Sequence, residues 1–380
     1  QELRLLRVIA GGPTLVGTPH QASVVRVINL VTSGDFREAL NRARGLGGPS
    51  ADELDGSSRG AYLRALTATL AKAPSALEET EFAMKAIERQ QAWRWDFRIR
   101  MVHAVLREDG AALARWMLEC ADVSRLANLE LADLIGDSLH LVTPIPPVLS
   151  QSIARHPTRW RPVLLRQLDR KGHASGQAAA RLLADYGTRE DADRLAAYER
   201  RSTPAVRKPQ LSRSLVRRVS PTLRVHDLGR TTYEVSGVEV QSSVARRKAL
   251  SLVLYLVTRP NQTATREQII EELWPGQNPS SATNSLHQTL HFVRRDIAPW
   301  SDDGVSAEYV PLDSELVYLD PDLVQVDSVA FMRQAKEALS SNDIVRWGPS
   351  IVRLYSGRFA PEFEYEDWAE DWRTMLHAQF

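Results

Sequence analysis

The sequence predicts a mainly α-helical protein that contains one small domain with β-strands. Two observations support this prediction. Residues 1–200 alternate amphipathic helical patterns with short polar turns, and residues 245–318 contain three further helical patterns followed by a β-hairpin pattern. The length of 380 residues suggests two or three domains.

The composition is that of an ordinary globular protein, with 43% hydrophobic residues, 25% charged residues and a formal net charge of +1. Cys120 is the single cysteine, which excludes an internal disulfide framework and indicates a reducing cytoplasm. The sequence has no signal-peptide pattern and no apolar stretch long enough to span a bilayer, so we expect no membrane contact. A helical pattern runs to Phe380, and we expect the chain to be part of a longer protein.

The N-terminal region, residues 1–200, shows paired helices throughout. Helix pairs separated by short polar turns occur in 23–46, 60–122 and 177–201. Such a pair cannot bury its apolar face alone and must stack on its neighbours, which predicts an α-solenoid of tetratricopeptide- or HEAT-like helix pairs. We expect this region to be a sensor or regulatory domain, with a small molecule or a protein as its ligand.

Five prolines interrupt this pattern, at positions 144, 146, 147, 157 and 162. Helix interiors reject proline at this density, so we expect a rigid loop or a solenoid corner there. Trp93 and Trp95 lie two residues apart, so only one of them can face a helical core. The other is a candidate for the lining of a ligand groove.

Charge is distributed unevenly along the chain. Between Arg200 and Arg230 there are nine basic residues and one acid, whereas residues 301–380 contain sixteen acids and six basic residues. We expect attraction to nucleic acid to be strong near the basic segment and weak at the C-terminal end. Residues 201–221 contain prolines, serines and arginines with little apolar periodicity, which predicts a basic linker between two domains.

The helical patterns of 245–318 each have one apolar stripe. The first helix would bury Leu250, Val253, Leu254 and Val257, and the second would begin at Thr265 and turn Trp274 towards the core before Pro275-Gly276 ends it. The third, predicted over 281–297, would bury one stripe formed by Leu286, Leu290, Val293 and Ile297. A hairpin follows at 308–320, and this order is typical of a winged helix-turn-helix.

Polar side chains cover the opposite face of the third helix. The major groove of DNA admits one α-helix, and amide and guanidinium groups pair there with base edges. Guanidinium groups also bind the phosphates of the backbone. This face therefore predicts binding to double-stranded DNA. Basic residues at the start of the first helix also suggest a phosphate partner, because positive charge is unfavourable at a helix N-terminus. The candidate DNA-binding residues on these two helices are Arg246, Arg247, Asn284, Ser285, His287, Gln288, His291, Arg294 and Arg295.

The order of these motifs carries a family resemblance. The β-rich lead LRVHDLGRTTYEVSGVEVQSS, then RRKALSLVLYLV, TREQIIEELWPG, SSATNSLHQTLHFVRRDI and the hairpin, resembles the OmpR-type winged helix of the SARP family of bacterial transcriptional activators. VDSVAFMRQAKEAL and LYSGRFAPEFEYEDWAEDWRTML resemble the start of the tetratricopeptide-like bacterial transcriptional activation domain that follows it. The resemblance implies a winged helix over 222–320 and an activation domain beginning over 321–380.

The resemblance also implies particular contacts. Asn284, Ser285, Gln288 and His291 would read bases, whereas Arg266, Arg294 and Arg295 would hold phosphates. RNA polymerase would contact the loop after the second helix, at Pro275, Gly276, Gln277 and Asn278. Such activators bind DNA as head-to-tail pairs. The hairpin EYVPLDSELVYLD departs from the family pattern because it is acidic.

The sequence gives little support to catalysis, a cofactor or a metal centre. Cys120 has no histidine nearby in sequence, and His287 and His291 are two ligands without a third. The Gly-rich segment 10–17 lacks the Gly-Lys-Ser/Thr ending of a phosphate-binding loop. Two other functions remain open: a scaffold whose solenoid binds a protein or peptide, and the sensor part of a larger nucleotide-switched signalling protein.

Overall fold

The computed structural model describes residues 19–46, 54–120, 123–170, 172, 174–202, 210–240, 247–297, 308–341 and 344–380. Side chains are not described at 19–21, 54–57, 93, 94, 123, 129, 295–297 and 344. The prediction of a mainly α-helical chain with small sheets is confirmed. The chain divides into two units, Gln1–Leu211 and Ser212–Phe380. The boundary falls inside the segment predicted as a linker, and the Gly-rich segment 10–17 lies outside the described residues.

Consecutive helices of the first unit pack against one another. Its first six helices are α1 (Pro19–Ser33), α2 (Phe36–Arg44), α3 (Leu54–Leu70), α4 (Ala76–Arg89), α5 (Trp93–Leu106) and α6 (Gly110–Glu119). Asp35 and Asp109 are the N-cap residues of α2 and α6, and each carboxylate accepts a hydrogen bond from an N–H group of the first turn. Trp95 and Cys120 are buried, so both belong to the core.

The second half of this unit continues the helical pattern. It contains α7 (Val123–Leu126), α8 (Leu129–Asp137), α9 (Pro147–Arg155), α10 (Pro157–Asp169), α11 (Gly176–Tyr186) and α12 (Ala192–Ser202), with short 3₁₀ turns at Leu139–Leu141 and Arg189–Asp191. Helix α10 packs on α8, α11 and α12. The contact with α8 is close, since a Cβ atom at Gly136 would lie 2.3 Å from Cγ1 of Val163.

The expectation of a proline-rich loop is wrong for residues 147–169. Pro147 and Pro157 lie in the first turns of α9 and α10, where the missing N–H group would have no helical partner. Pro162 lies inside α10. Only Pro144 and Pro146 precede these helices in irregular backbone, so proline density alone did not identify a loop.

Arginine–carboxylate pairs are frequent among the described residues of this unit. Arg161 donates from Nε to both carboxylate oxygens of Asp191, which is fully buried. Arg166 pairs with the buried Asp133. Arg170 pairs with Asp137 and Arg194 with Asp169. These pairs join helices distant in sequence.

The segment predicted as a linker contains a helix at its C-terminal end. Helix α13 (Gln210–Val219) buries Leu215 and Val216 and exposes Arg217 and Arg218. Its four apolar residues are spaced for a single buried face. The segment predicted as a basic linker is therefore helical over 210–219, and residues 203–209 lie outside the described part of the chain.

The second unit combines two small sheets with helices. In order, its elements are β1 (Leu223–His226), β2 (Thr232–Val235), β3 (Val238–Val240), α14 (Arg247–Val257), β4 (Thr263–Thr265), α15 (Arg266–Leu273), α16 (Pro279–Ile297), β5 (Leu312–Asp313), β6 (Leu316–Tyr318) and β7 (Val324–Val326). One sheet has the order β3-β2-β1-β7, in which β7 runs parallel to β1 and the other pairs are antiparallel. The other has the antiparallel order β4-β6-β5.

The predicted apolar stripes lie in the core of this unit. Helix α16 buries Leu286, Leu290 and Val293, as predicted, and α14 buries Val253, Leu254 and Val257. Leu250 and Ile270 are only half-buried, and the side chain of Ile297 is not described. Trp274 is buried, which confirms its predicted place in the core.

Three helices complete the second unit: α17 (Asp327–Ser341), α18 (Ile344–Leu354) and α19 (Glu370–Gln379). The fully buried Asp227 follows β1 and accepts hydrogen bonds from the backbone N–H of Ser328 at 2.9 Å and from its hydroxyl at 2.5 Å. The indole N–H of Trp372 donates to the Ser328 hydroxyl at 3.2 Å. These bonds tie β1 to the start of α17 and to α19. Trp368 is also buried.

Candidate nucleic-acid interface

Helix α16 begins at a local cap that follows directly from the sequence. Asn278 accepts hydrogen bonds at its Oδ1 from the N–H and the hydroxyl of Ser280, at 3.0 and 2.7 Å. Pro279 occupies the first helical position, where its fixed φ is compatible with a helix. Gly276 adopts a positive φ of 74° in the turn between α15 and α16, a conformation that favours glycine. The helix starts two residues before the predicted position.

The polar face of α16 is open to solvent. Asn284, His287, Gln288 and His291 are exposed. Ser285 is half-buried, and its hydroxyl donates to Oε1 of Gln277 at 3.4 Å. Because the buried stripe fixes the rotation of the helix, these five residue positions share one outward surface, which we call the α16 face.

One residue of the α16 face, Phe292, was not predicted from the sequence. Phe292 is 45% exposed, and the centroid of its ring lies 6.2 Å from that of His291. It lies four residues after Gln288 and seven after Ser285, which places it on the same side of the helix. The signal was present in the sequence, since position 292 lies outside the buried stripe.

Arg294, predicted to hold a phosphate, is half-buried and faces an acidic residue. Its Nη2 lies 3.7 Å from Oε1 of Glu308, the first residue of the hairpin segment 308–320. The same carboxylate oxygen accepts a hydrogen bond from Nη2 of Arg213 at 2.8 Å. The buried Nε of Arg294 has no hydrogen-bond partner within the described part of the chain, so this guanidinium keeps unused donor capacity.

Arg266 has a similar environment at the start of α15. Its backbone N–H donates to the carbonyl of Glu315 at 2.9 Å, and its Nη1 lies 3.8 Å from the Glu315 carboxylate. Its buried Nε likewise has no hydrogen-bond partner among the residues that the structure describes. Thr265 and Gln268 form the predicted capping box, which fixes the helix end that positions Arg266.

The basic residues at the start of α14 contact other parts of the second unit. Arg247 donates from Nη2 to the carbonyl of Glu362 at 3.1 Å, and its guanidinium lies 4.9 Å from the ring centroid of Phe363. Lys248 donates from Nζ to the carbonyl of Leu273 at 2.6 Å. Arg247 is exposed besides making these contacts, and the phosphate contact expected for it stays a prediction. Arg246 and the side chain of Arg295 lie outside the described residues.

The turn predicted to contact RNA polymerase is on the surface. Pro275, Gly276, Gln277 and Asn278 are all exposed. Two of them also have structural roles, because Gln277 accepts a hydrogen bond from the Ser285 hydroxyl and Asn278 caps α16. A substitution at Asn278 would therefore change α16 as well as the turn.

The hairpin is acidic in the structure as in the sequence. Residues 308–320 contain Glu308, Asp313, Glu315 and Asp320 and neither lysine nor arginine. Ser314, at the hairpin turn, has a positive φ of 54°, and Leu316 is 45% exposed. This charge would repel the DNA backbone, so insertion of the hairpin into a minor groove is disfavoured.

The comparisons with known proteins identify no relative: no protein-family model, no curated protein and no solved structure matches the chain. None of the helices that the structure describes is both long and apolar enough to cross a membrane. In the same described ranges, no group of three His, Cys, Asp or Glu side chains could hold a metal ion. The α16 face and its two neighbouring arginines remain the best-defined candidate site.

Proposed function

We propose that residues 222–320 form an OmpR-type winged-helix domain that binds double-stranded DNA, and that the protein is a transcriptional activator similar to the SARP family. The observation that carries this proposal is the α16 face. Its polar side chains point outward from a helix whose opposite side is fixed in the core. A helix of this kind fits the major groove.

The order of elements supports the same proposal. A β-rich segment precedes three helices, and the hairpin β5–β6 pairs with β4 immediately before α15. In the proposed complex Asn284 and Gln288 pair with adenine edges, with Ser285, His287 and His291 beside them. Arg266 and Arg294, whose side chains are 29% and 35% exposed, contact phosphate oxygens with their terminal Nη groups.

The remaining regions complete the proposed activator. The turn 275–278 and the acidic segment 321–380 would offer surfaces to RNA polymerase, and the helices of the first unit would form an α-solenoid that receives a regulatory ligand. A cytoplasmic location fits these partners. Head-to-tail pairs on DNA would follow from the family resemblance.

One observation favours a second function, a protein-binding scaffold. Phe292 and Leu316 are large apolar side chains exposed on α16 and on the hairpin. Aromatic and aliphatic residues of this kind often anchor protein–protein interfaces. A scaffold predicts that Phe292→Ala weakens binding to a protein partner and that the chain has no salt-dependent affinity for DNA.

The test is binding of the full chain to a pool of short random-sequence duplexes as the salt concentration is varied. We expect the logarithm of the affinity to fall linearly with the logarithm of the salt concentration. Sequencing of the bound duplexes should reveal a preferred site. Gln288→Ala should lower affinity for that site about tenfold or more and relax selection at one base pair.

Gln325→Ala is the matched control, because Gln325 is an exposed glutamine on β7 and not on the α16 face. It should leave both affinity and selected sequence unchanged. Arg294→Ala should reduce the salt slope by at most about 0.9 without changing the selected sequence. A wild-type chain that shows no salt-dependent DNA binding would contradict the proposal and leave the scaffold function.

A further inference from the structure

We propose that Glu308 competes with DNA phosphate for Arg294, and that Arg213 of helix α13 limits this competition by holding Glu308. The inference rests on the proposed DNA binding and adds two positioning residues outside the α16 face. Neither Glu308 nor Arg213 was a candidate DNA contact in the sequence.

The geometry shows one carboxylate oxygen between two cations. Oε1 of Glu308 lies 2.8 Å from Nη2 of Arg213 and 3.7 Å from Nη2 of Arg294. The shorter distance is a charge-assisted hydrogen bond, whereas the longer one is an ion pair without a hydrogen bond. Arg294 is therefore the weaker partner of Glu308, and it keeps donors that a phosphate oxygen could use.

Helix α13 is held beside the hairpin by further contacts. Arg217 donates to Asp320 at 2.6 Å and lies 2.7 Å from a carboxylate oxygen of Asp322. The hydroxyl of Tyr309 donates to the carbonyl of Pro221 at 2.8 Å. These bonds fix the position of Arg213 relative to Glu308 without involving Arg294.

The arrangement has two consequences for the affinity for DNA. If Arg213 is removed, Glu308 loses its hydrogen-bonded cation, and Arg294 becomes its remaining ion-pair partner in this arrangement. Glu308 then competes more strongly with a DNA phosphate for Arg294. If Glu308 loses its charge, Arg294 is free to neutralise a phosphate and to release a counterion.

The test uses the full chain and mixed-sequence duplex DNA, with affinity measured over a range of salt concentrations. Glu308→Gln should raise the affinity about threefold to tenfold at low salt and steepen the salt slope by less than about 0.9, because Arg294 already neutralises part of one phosphate charge in the wild type. Arg213→Ala should lower the affinity about threefold, whereas Arg213→Lys should keep most of it because the charge is retained. In the Glu308→Gln background, Arg213→Ala should have no further effect, and Arg294→Ala should abolish the gain.

Arg217→Ala is the matched control, because Arg217 lies on the same helix and pairs with Asp320 and Asp322 instead of Glu308. Its effect on DNA affinity should be the same in the wild-type and Glu308→Gln backgrounds. DNA binding by the wild type with an unchanged affinity and salt slope in Glu308→Gln would overturn this inference alone. The absence of DNA binding in both proteins would overturn the proposed function, and this inference with it.

Discussion

Arginine–carboxylate pairs occur in both units, and individual pairs differ in how completely they are closed. Long pairs also occur in the first unit, where Arg98 lies 3.9 Å from Glu130, and short ones in the second, where Arg217 donates to Asp320 at 2.6 Å. In the first unit, Arg161 gives two hydrogen bonds of 2.8 and 3.0 Å to Asp191, whose side chain is fully buried. In the second unit, Arg294 and Arg266 lie 3.7 and 3.8 Å from carboxylates that water can reach. Each also has an Nε atom that lacks a hydrogen-bond partner in the described part of the chain.

This difference separates arginines that stabilise the fold from arginines that can bind an external anion. In a closed pair the carboxylate is buried and hydrogen-bonded, and opening the pair would leave that carboxylate unpaired. A half-open pair loses little when a phosphate oxygen replaces the carboxylate, since neither partner is fully desolvated. An ion pair within the protein is therefore weak evidence that its arginine cannot bind an external anion. The distance and the burial of the carboxylate determine whether it can.

The largest effect should come from the closed pair in the first unit. Asp191→Ala removes the partner of Arg161 and also the carboxylate that accepts from the backbone N–H of Thr188 at 2.8 Å. We expect a loss of about 3–5 kcal/mol in stability. Native-state hydrogen exchange at amides of α10 and α12 in the full chain would measure this loss within the first unit.

Glu190→Ala is the control for this substitution. Glu190 also pairs with Arg161, at 2.9 Å, but its side chain is 78% exposed. Its removal should cost less than about 1 kcal/mol, because water screens an exposed pair. Equal costs for the two substitutions would show that burial does not distinguish closed from open pairs.

A pH-dependent effect should come from Asp227 in the second unit. Burial raises the pKa of Asp227 to about 7, although its hydrogen bonds with Ser328 act in the opposite direction. The contribution of this group to stability is fully present below about pH 4, where both folded and unfolded states hold the proton. Between about pH 4 and 7 only the folded state holds it, so about 1.4 kcal/mol should be lost per pH unit.

Asp227→Asn should remove this slope, because an amide does not titrate in this range. Urea unfolding of both proteins at a series of pH values would give the difference between their slopes. Asp327 and Glu234 raise the pKa of the neighbouring His226 despite partial burial, which alone would lower it. The contribution of His226 also falls with rising pH but is common to both proteins. Parallel stability curves for the two proteins would contradict the prediction.

Much of the fold could be predicted because its signals are local. Apolar residues recur at helical spacing in α14 and α16, and the Thr265–Gln268 capping box marks the start of α15. Local rules also explain the differences from the prediction. Proline is compatible with a first helical turn, as at Pro157, and an arginine-rich segment such as α13 can form a helix when a few apolar residues share one face.

The candidate site could be predicted only in part. The exposed face of α16 follows from its period, and Phe292 could have been included by the same argument. The partners of its arginines could not be predicted, because Arg213 and Glu308 are 95 residues apart in sequence. The same applies to Arg247, whose backbone acceptor at Glu362 is 115 residues away. Periodicity defines which face of a helix is free, whereas only the tertiary structure shows which charges are already paired.

The smallest effect on affinity for DNA should come from Glu315, which can be compared with Glu308 because both carboxylates lie in the hairpin segment. The side chain of Glu315 is 73% exposed, whereas that of Glu308 is 25% exposed. Glu315→Gln keeps the bond between the Arg266 N–H and the Glu315 carbonyl, since both groups belong to the backbone. Only a screened charge is lost, and we expect the affinity for DNA to rise by less than about twofold. Both variants should be measured at the same salt concentration. If Glu315→Gln raised the affinity for DNA as much as Glu308→Gln or more, neither burial nor proximity to α13 would determine how strongly a hairpin carboxylate competes with phosphate.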